Sequence, residues 1–365
     1  MTTSSSGGTA GPDHSTRSRA AWVYHGTGVP RPDMADLLPP PPPWRSFHGG
    51  PALEPPPGDE DEVRRRLGRP DQAAHLGTDE LAVVNAALIL RRPLLVTGLP
   101  GTGKSTLPYQ IAYELGLGRV LYWPISSRTT LLHGLYQYDA IGRVQATATW
   151  RAGVSGPGFT GDAVGSDPAG AAEPPSVGSF VGLGPLGTAL LPFDRPRVLL
   201  VDELDKSDID LPNDLLSVFE EGSYEIPELV RSEAETVQVR TDDPDRRAPV
   251  HKGRVRCRAF PIVVITSNGE RDFPPAFLRR CLRLDLPQPS PERLAAMVAA
   301  HFSPETAGQA SGLIQQFLRH SAENGGLAID QLLNAVHLVT NGRFSMESEH
   351  WEPLLDAVWR ALNEY

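Results

Sequence analysis

An α/β domain built on a parallel sheet, followed by an all-helical C-terminal domain, is the fold class this sequence predicts. Three observations predict it. Short runs of branched apolar residues, Leu94–Val96, Val198–Val201 and Ile262–Ile265, each end in polar or glycine residues, as strands buried on both faces of a parallel sheet do. Segments with helical spacing lie between them, for example Leu81, Val84, Ala87 and Leu88. Beyond Pro287 the apolar residues fall only into helical stripes, such as Leu313, Ile314, Phe317 and Leu318, or Leu354, Leu355, Val358, Trp359 and Leu362.

Taken in order, residues 1–75 are dominated by Ser, Gly, Pro and charge and are expected to form a disordered tail. The unbroken run Pro39–Pro43 favours polyproline II, either as a stiff spacer or as a segment for an aromatic groove. Trp44 and Phe47 follow it and are expected to dock on the folded body or on a partner. A helix starting near Asp79 ends at Arg91-Arg92-Pro93. The next is expected over 103–115, with Pro108 in its second turn, where proline bends a helix. Val120–Ile125 reads as the second strand.

Residues 127–193 read as an insert, with a short helix over Leu131–Tyr138 and a Gly/Pro/Ala/Ser-rich loop over 153–187. Asp139-Ala140-Ile141-Gly142 matches the D-x-x-G of guanine-nucleotide sites, but no N-K-x-D follows, so that reading is rejected. A helix is expected over Leu211–Glu221. Residues 223–258 read as a hairpin-like insert with strands at Thr236–Arg240 and His251–Arg258. Pro274–Cys281 is a short helix carrying Arg279 and Arg280, and Leu282–Leu286 is the last strand. Ser290 as N-cap and Pro291 at the first helical position open the helical domain, 287–365. His301, His320 and His337 belong to its rim or core.

The chemistry concentrates at Gly98-Leu99-Pro100-Gly101-Thr102-Gly103-Lys104-Ser105, which fits G-x-x-x-x-G-K-[ST] at every fixed position. Glycines let the backbone wrap phosphates with its N–H groups, and the following helix adds the positive end of its dipole. Lys104 can reach the β- and γ-phosphates, and the Ser105 hydroxyl can ligate Mg²⁺. Gly98, Pro100, Gly101, Thr102, Gly103, Lys104, Ser105 and Thr106 are thus the expected nucleotide-binding residues.

The second half is Asp202-Glu203 at the end of a strand, where open α/β sheets place their sites. Asp202 would share the Mg²⁺ shell with Ser105, and Glu203 would polarise a water for attack on the γ-phosphate. Asn268, at the tip of another strand, is placed to orient that water.

Composition narrows the partners. A net charge of −10 argues against a protein built chiefly to grip a phosphate backbone. Two cysteines, Cys257 and Cys281, show no metal-like spacing and are expected as reduced thiols. Met1–His14 lacks the pattern of a secretion signal and no membrane-length apolar window occurs, so a cytoplasmic protein is expected.

In order, these motifs resemble those of AAA+ ATPases: Gly98–Ser105 as Walker A, Val198–Glu203 as Walker B, Asn268 as sensor 1, and Arg279 and Arg280 as arginine-finger candidates. Gly184-Pro185-Leu186 before Walker B, the long insert and the hairpin before sensor 1 are similar to the MoxR branch. The resemblance covers 76–365. It implies a P-loop αβα sandwich over 76–286 with a five-stranded parallel sheet in the order 5-1-4-3-2, and a helical lid over 287–365. It also implies ATP and Mg²⁺ as ligands and a ring, usually a hexamer, in which Arg280 or Arg279 reaches a neighbour's γ-phosphate. A protein client is implied too, with a von Willebrand factor A domain protein as the partner such ATPases work beside. The lid position where the family carries a sensor 2 arginine reads Gly326-Leu327-Ala328-Ile329-Asp330-Gln331, with no arginine. Three functions follow as expectations: an ATP-hydrolysing remodeler of a partner protein, a motor on nucleic acid, or a slowly hydrolysing nucleotide-dependent scaffold. The basic segment containing Arg246, Arg247, Lys252, Arg254, Arg256 and Arg258 keeps the second in view.

Overall fold

The computed structural model describes residues 22–31, 38–72, 76–154, 174–302, 308, 310–323, 327–341 and 349–359. The strands among them are β1 (Leu94–Thr97), β2 (Leu121–Pro124), β3 (Tyr136–Tyr138), β4 (Val181–Leu183), β5 (Val198–Asp202), β6 (Ser223–Glu225), β7 (Thr236–Arg240), β8 (Arg247–His251), β9 (Arg254–Arg256), β10 (Ile262–Ser267) and β11 (Leu282–Asp285). β11, β1, β10, β5 and β2 pair in that order as one parallel sheet.

Period-2 alternation divides the three central strands, β1, β10 and β5, between two cores. Leu95, Leu199, Val201, Val263 and Ile265 point into one cluster. Their neighbours Leu94, Val96, Val198, Leu200, Ile262 and Val264 point into the other. Both faces of these central strands are covered, so they read as continuous apolar runs, whereas the edge strand β11 alternates Leu282 and Leu284 with exposed Arg283 and Asp285. Each such Leu, Ile or Val contributes about 1.5–3 kcal/mol by leaving water.

The stretch expected as a disordered tail is in large part folded, and residues 1–21, 32–37 and 73–75 lie outside the described residues. Residues 22–31 run as a strap across the second core. The Asn85 side chain accepts from the amides of Val23 and Tyr24 at 2.8 and 2.9 Å and donates to the Tyr24 carbonyl. The fully buried Glu114 carboxylate accepts from the amides of His25, Thr27 and Gly28. A helix, Glu60–Leu67, follows, capped by the Asp59 side chain on the Glu62 amide. Acidic residues fill its first turn and arginines its last, which suits the dipole. Composition hides all this because few apolar anchors, Val23, Tyr24 and Leu67, do the burying. Phe47 stacks on Phe260 at 5.6 Å, whereas Trp44 stays 77% exposed.

The helix after the glycine turn also begins later than expected. A 3-10 turn, Lys104–Thr106, comes first, and the α-helix runs Leu107–Glu114. Pro108 therefore lies in the first turn, where its missing N–H removes no helical hydrogen bond.

The two inserts are not separate decorations. Leu131–Leu135 is helical, but Tyr136–Tyr138 is β3, which pairs with β4. β4 joins β7, and β7 forms a hairpin with β8, giving a second sheet in the order β3-β4-β7-β8-β9-β6. The hairpin's return strand is Arg247–His251 rather than His251–Arg258, because the turn closes at Thr241–Arg246. Arg197, wholly buried, holds that turn with a two-pronged ion pair to Asp243 at 2.7 and 2.8 Å. Asp139 caps the helix Ala140–Val154 by accepting from the Gly142 amide at 2.8 Å, which accounts for the D-x-x-G match. Of the expected loop over 153–187, residues 155–173 lie outside the described residues.

The helices Pro291–His301, Ser311–Glu323, Ile329–Thr340 and Trp351–Val358 share a third core around Leu294, Val298, Phe317 and Trp359. Ser290 caps the first of them on the Arg293 amide. Among the described residues no helix is long and apolar enough to cross a membrane.

Candidate functional site

The parallel strands deliver their C-terminal ends to one edge of the sheet. β1 ends in the glycine turn, β5 in Asp202 and Glu203, and β10 in Ser267 and Asn268. Gly101 and Gly103 hold φ of 76° and 89°, in the left-handed region that side chains disfavour. Gly101 has a second constraint. A Cβ there would lie 2.5 Å from the Ile329 nitrogen, so the turn and the C-terminal helices touch through this glycine.

Lys104 is buried, and its Nζ donates to the carbonyls of Gly98 and Leu99 at 2.8 Å each. Burial pulls its pKa below the ordinary lysine value, with Asp205, Asp202 and Glu203 acting the other way. The Ser105 hydroxyl donates to Asp202 Oδ1 at 2.7 Å. The Thr266 hydroxyl donates to the same oxygen at 2.7 Å and accepts the Glu203 amide at 2.8 Å. The Tyr122 hydroxyl donates to Asp202 Oδ2 at 3.3 Å.

Glu203 has φ 60° and ψ 50°. A left-handed non-glycine residue at a strand end is strained, and such strain collects at functional sites. Its carboxylate accepts from Lys206 Nζ at 2.7 Å and from Asn268 Nδ2 at 3.3 Å. Asp205, buried, accepts the amides of Asn268 and Glu270 at 2.9 and 3.1 Å and so fixes the loop that carries Asn268.

The cleft over these groups has a volume of about 430 Å³. Its floor is Gly101, Gly103, Lys104 and Ser105. Its other walls are Arg65–Leu67 of the Glu60–Leu67 helix and, from the C-terminal helices, Met297, Ala300, His301, Ala328–Asp330 and Leu333. Larger hollows exist elsewhere, one of about 1270 Å³ beside the second sheet, but none of them is lined by the glycine turn with Lys104 and Ser105. Among the described residues no cluster of three or more His, Cys, Asp or Glu side chains could hold a metal unaided. The Ser105 and Asp202 oxygens are the hard donors Mg²⁺ prefers, and that ion usually takes its remaining ligands from water and phosphates.

The structure therefore brings together the glycine turn, Lys104, Ser105, Asp202, Glu203 and Asn268. It does not bring Arg279 or Arg280 to this cleft. The Arg280 guanidinium pairs with Glu220 and donates to the Ala276 carbonyl at 3.3 Å, and the Arg279 carbonyl accepts from Arg92. Cys257 and Cys281 are free and buried, and burial pushes both thiols up to about 12. Sequence reasoning missed Thr266, Asp205 and the arginines of the Glu60–Leu67 helix. An acid two residues after the Asp-Glu pair was a usable signal, whereas a threonine inside an apolar strand gave none. No protein-family model matches the chain, and no curated protein is significantly similar to it.

Proposed function

We propose that this chain is an ATP-binding, ATP-hydrolysing P-loop enzyme of the AAA+ kind, close to the MoxR branch, acting as a ring-forming remodeler of a partner protein. One observation carries the reading: Ser105 bonds Asp202 at 2.7 Å beside buried Lys104, while Asn268 reaches the Glu203 carboxylate at 3.3 Å across the strand tips. The strand order β11-β1-β10-β5-β2, which is fifth-first-fourth-third-second among the parallel strands, supports the same fold reading.

In this reading Lys104 exchanges its two carbonyl partners for β- and γ-phosphate oxygens, and the glycine-turn amides hold the rest of the polyphosphate. Ser105 Oγ and Asp202 would hold a Mg²⁺ ion, which neutralises charge on the β- and γ-oxygens. Glu203 accepts a proton from the attacking water, and Asn268 sets that water's direction. Arg280, half-exposed on its short helix, is the residue offered to a neighbouring subunit, with Arg279 as the alternative. Such a finger supplies about 10³–10⁵ in rate.

The test is ATP turnover against protein concentration for the wild type, Glu203→Gln and Arg280→Ala. Turnover per chain should rise with concentration, and both changes should remove it, with ATP binding kept in Glu203→Gln. Hydrolysis that ignores concentration and survives both changes overturns the reading. Wild-type binding without turnover would favour a scaffold instead.

A motor on nucleic acid is favoured by one observation. Arg240 stands directly opposite Arg247 in the β7–β8 hairpin, and both are exposed, as are Arg254 and Arg256 on β9. Like charges in register cost stability unless an anion covers them. Salt-dependent DNA binding that disappears when Arg247, Arg254 and Arg256 become alanine would support it.

A further inference from the structure

The cleft contains a cation that the glycine turn does not supply. Arg66 closes the Glu60–Leu67 helix and lines the same cleft as Lys104 and Ser105. Its guanidinium carbon lies 5.2 Å from the Tyr109 ring centre and 5.5 Å from that of Tyr122. Tyr122 in turn donates to Asp202, the carboxylate that Ser105 bonds. Arg66 thus stands one aromatic ring from the group that marks the phosphate end of the cleft. Its neighbour Leu67 is buried and lines the cleft too, so the helix is seated with its C-terminal turn facing in.

Among the described residues, Arg66 has neither a carboxylate within ion-pair distance nor a hydrogen-bond acceptor. Its Nε is buried without a partner. Other partly covered arginines of this chain are answered: Arg119 by Glu62, Asp242 and Asp243, Arg197 by Asp243, and Arg293 by Glu80. A half-buried guanidinium held between two aromatic rings and facing a cleft lacks only an anion. The lid wall makes the need sharper, since Ala328, Ile329 and Asp330 bring no positive charge there.

We propose that Arg66 is a phosphate-binding residue of the nucleotide cleft, supplied in cis by the helix that precedes the glycine turn. The inference rests on the nucleotide-binding reading above and adds to it the cation that answers the polyphosphate from the wall opposite the turn. The planar fork of arginine suits two phosphate oxygens at once, and the tyrosine faces hold it in place before the ligand arrives.

The experiment is calorimetric binding of Mg·ATP and of adenosine to the full chain, for wild type, Arg66→Ala, Arg66→Gln, Arg66→Lys and Lys104→Ala, with thermal midpoints alongside. Arg66→Ala should weaken ATP about 10–100-fold, the scale of one or two charge-assisted hydrogen bonds, and leave adenosine unchanged. Arg66→Lys should recover part of the loss. Arg66→Gln retains much of the stem that packs on the tyrosines and should bind ATP as weakly as Arg66→Ala at an unchanged midpoint. Unchanged ATP affinity in Arg66→Gln, or equal losses for ATP and adenosine, overturns the assignment and leaves Arg66 as a packing residue. Unchanged ATP affinity in Lys104→Ala would instead overturn the nucleotide site itself.

Discussion

The two walls of the cleft are built on opposite principles. The sheet wall is a hydrogen-bonded network: Ser105, Thr266 and Tyr122 all converge on Asp202, while Lys206 and Asn268 converge on Glu203. The facing wall, from Arg65–Leu67 through Met297, Ala300 and His301 to Asp330 and Leu333, sets a few charged groups among apolar side chains and approaches the turn closely at Gly101. Charged groups held by several fixed partners cannot shift without leaving one unsatisfied. Apolar contacts are non-directional and tolerate small displacements. The fixed polar groups are therefore concentrated on the rigid wall, and the facing wall, Arg66 apart, is the yielding one.

The largest effect should come from the rigid wall. Lys104→Ala should weaken Mg·ATP by more than about 100-fold, since it deletes the buried cation proposed to meet the phosphates. Titration calorimetry reads this, and a loss under about tenfold would break the contrast. Next, Asp202→Asn should raise the Mg²⁺ concentration needed for half-maximal turnover by about tenfold or more, as one of two protein oxygens loses its charge. An unchanged Mg²⁺ requirement would remove Asp202 from the metal shell. Thr266→Ala sharpens the network claim. It strips a donor from Asp202 and the acceptor from the Glu203 amide, and should cost about 1–3 kcal/mol in urea unfolding even without nucleotide. The smallest effect belongs to the C-terminal helices: Met297→Ala should weaken ATP only a few-fold, because a flexible thioether on a yielding wall is readily compensated. A Met297→Ala loss equal to that of Lys104→Ala would show that the two walls are not different in kind.

What was legible in the sequence follows the same division. Lys104, Ser105, Asp202, Glu203 and Asn268 could be read because a strand end fixes where the next residue points, and phosphate chemistry allows few residue types there. The second sheet was not legible as one object. Its strands of three to five residues come from two inserts far apart in the chain, and only long-range pairing of β4 with β7 unites them. The start of the Leu107–Glu114 helix was displaced by a 3-10 turn that no spacing rule signals. Arg66 was hidden for a different reason. It lies in a Pro-rich, charged stretch whose composition argues for a solvated chain, and its role depends on where Tyr109 and Tyr122 come to lie. The expected partner of Arg280 on another subunit depends on a surface that one chain does not contain.

The strap of residues 22–31 bears on where this chain can be cut. Glu114 ends the helix that follows the glycine turn, and its carboxylate takes hydrogen bonds from three strap amides. A shortened protein starting at residue 76, the boundary that composition recommends, would leave that carboxylate at a negative helix end with its donors gone. The Asn85 side chain would lose its three hydrogen bonds to the strap in the same cut and keep the one to the Leu81 carbonyl. Trimming the N-terminus for expression or crystallisation should therefore stop before Trp22, since the minimal folding unit begins well upstream of the first recognisable motif.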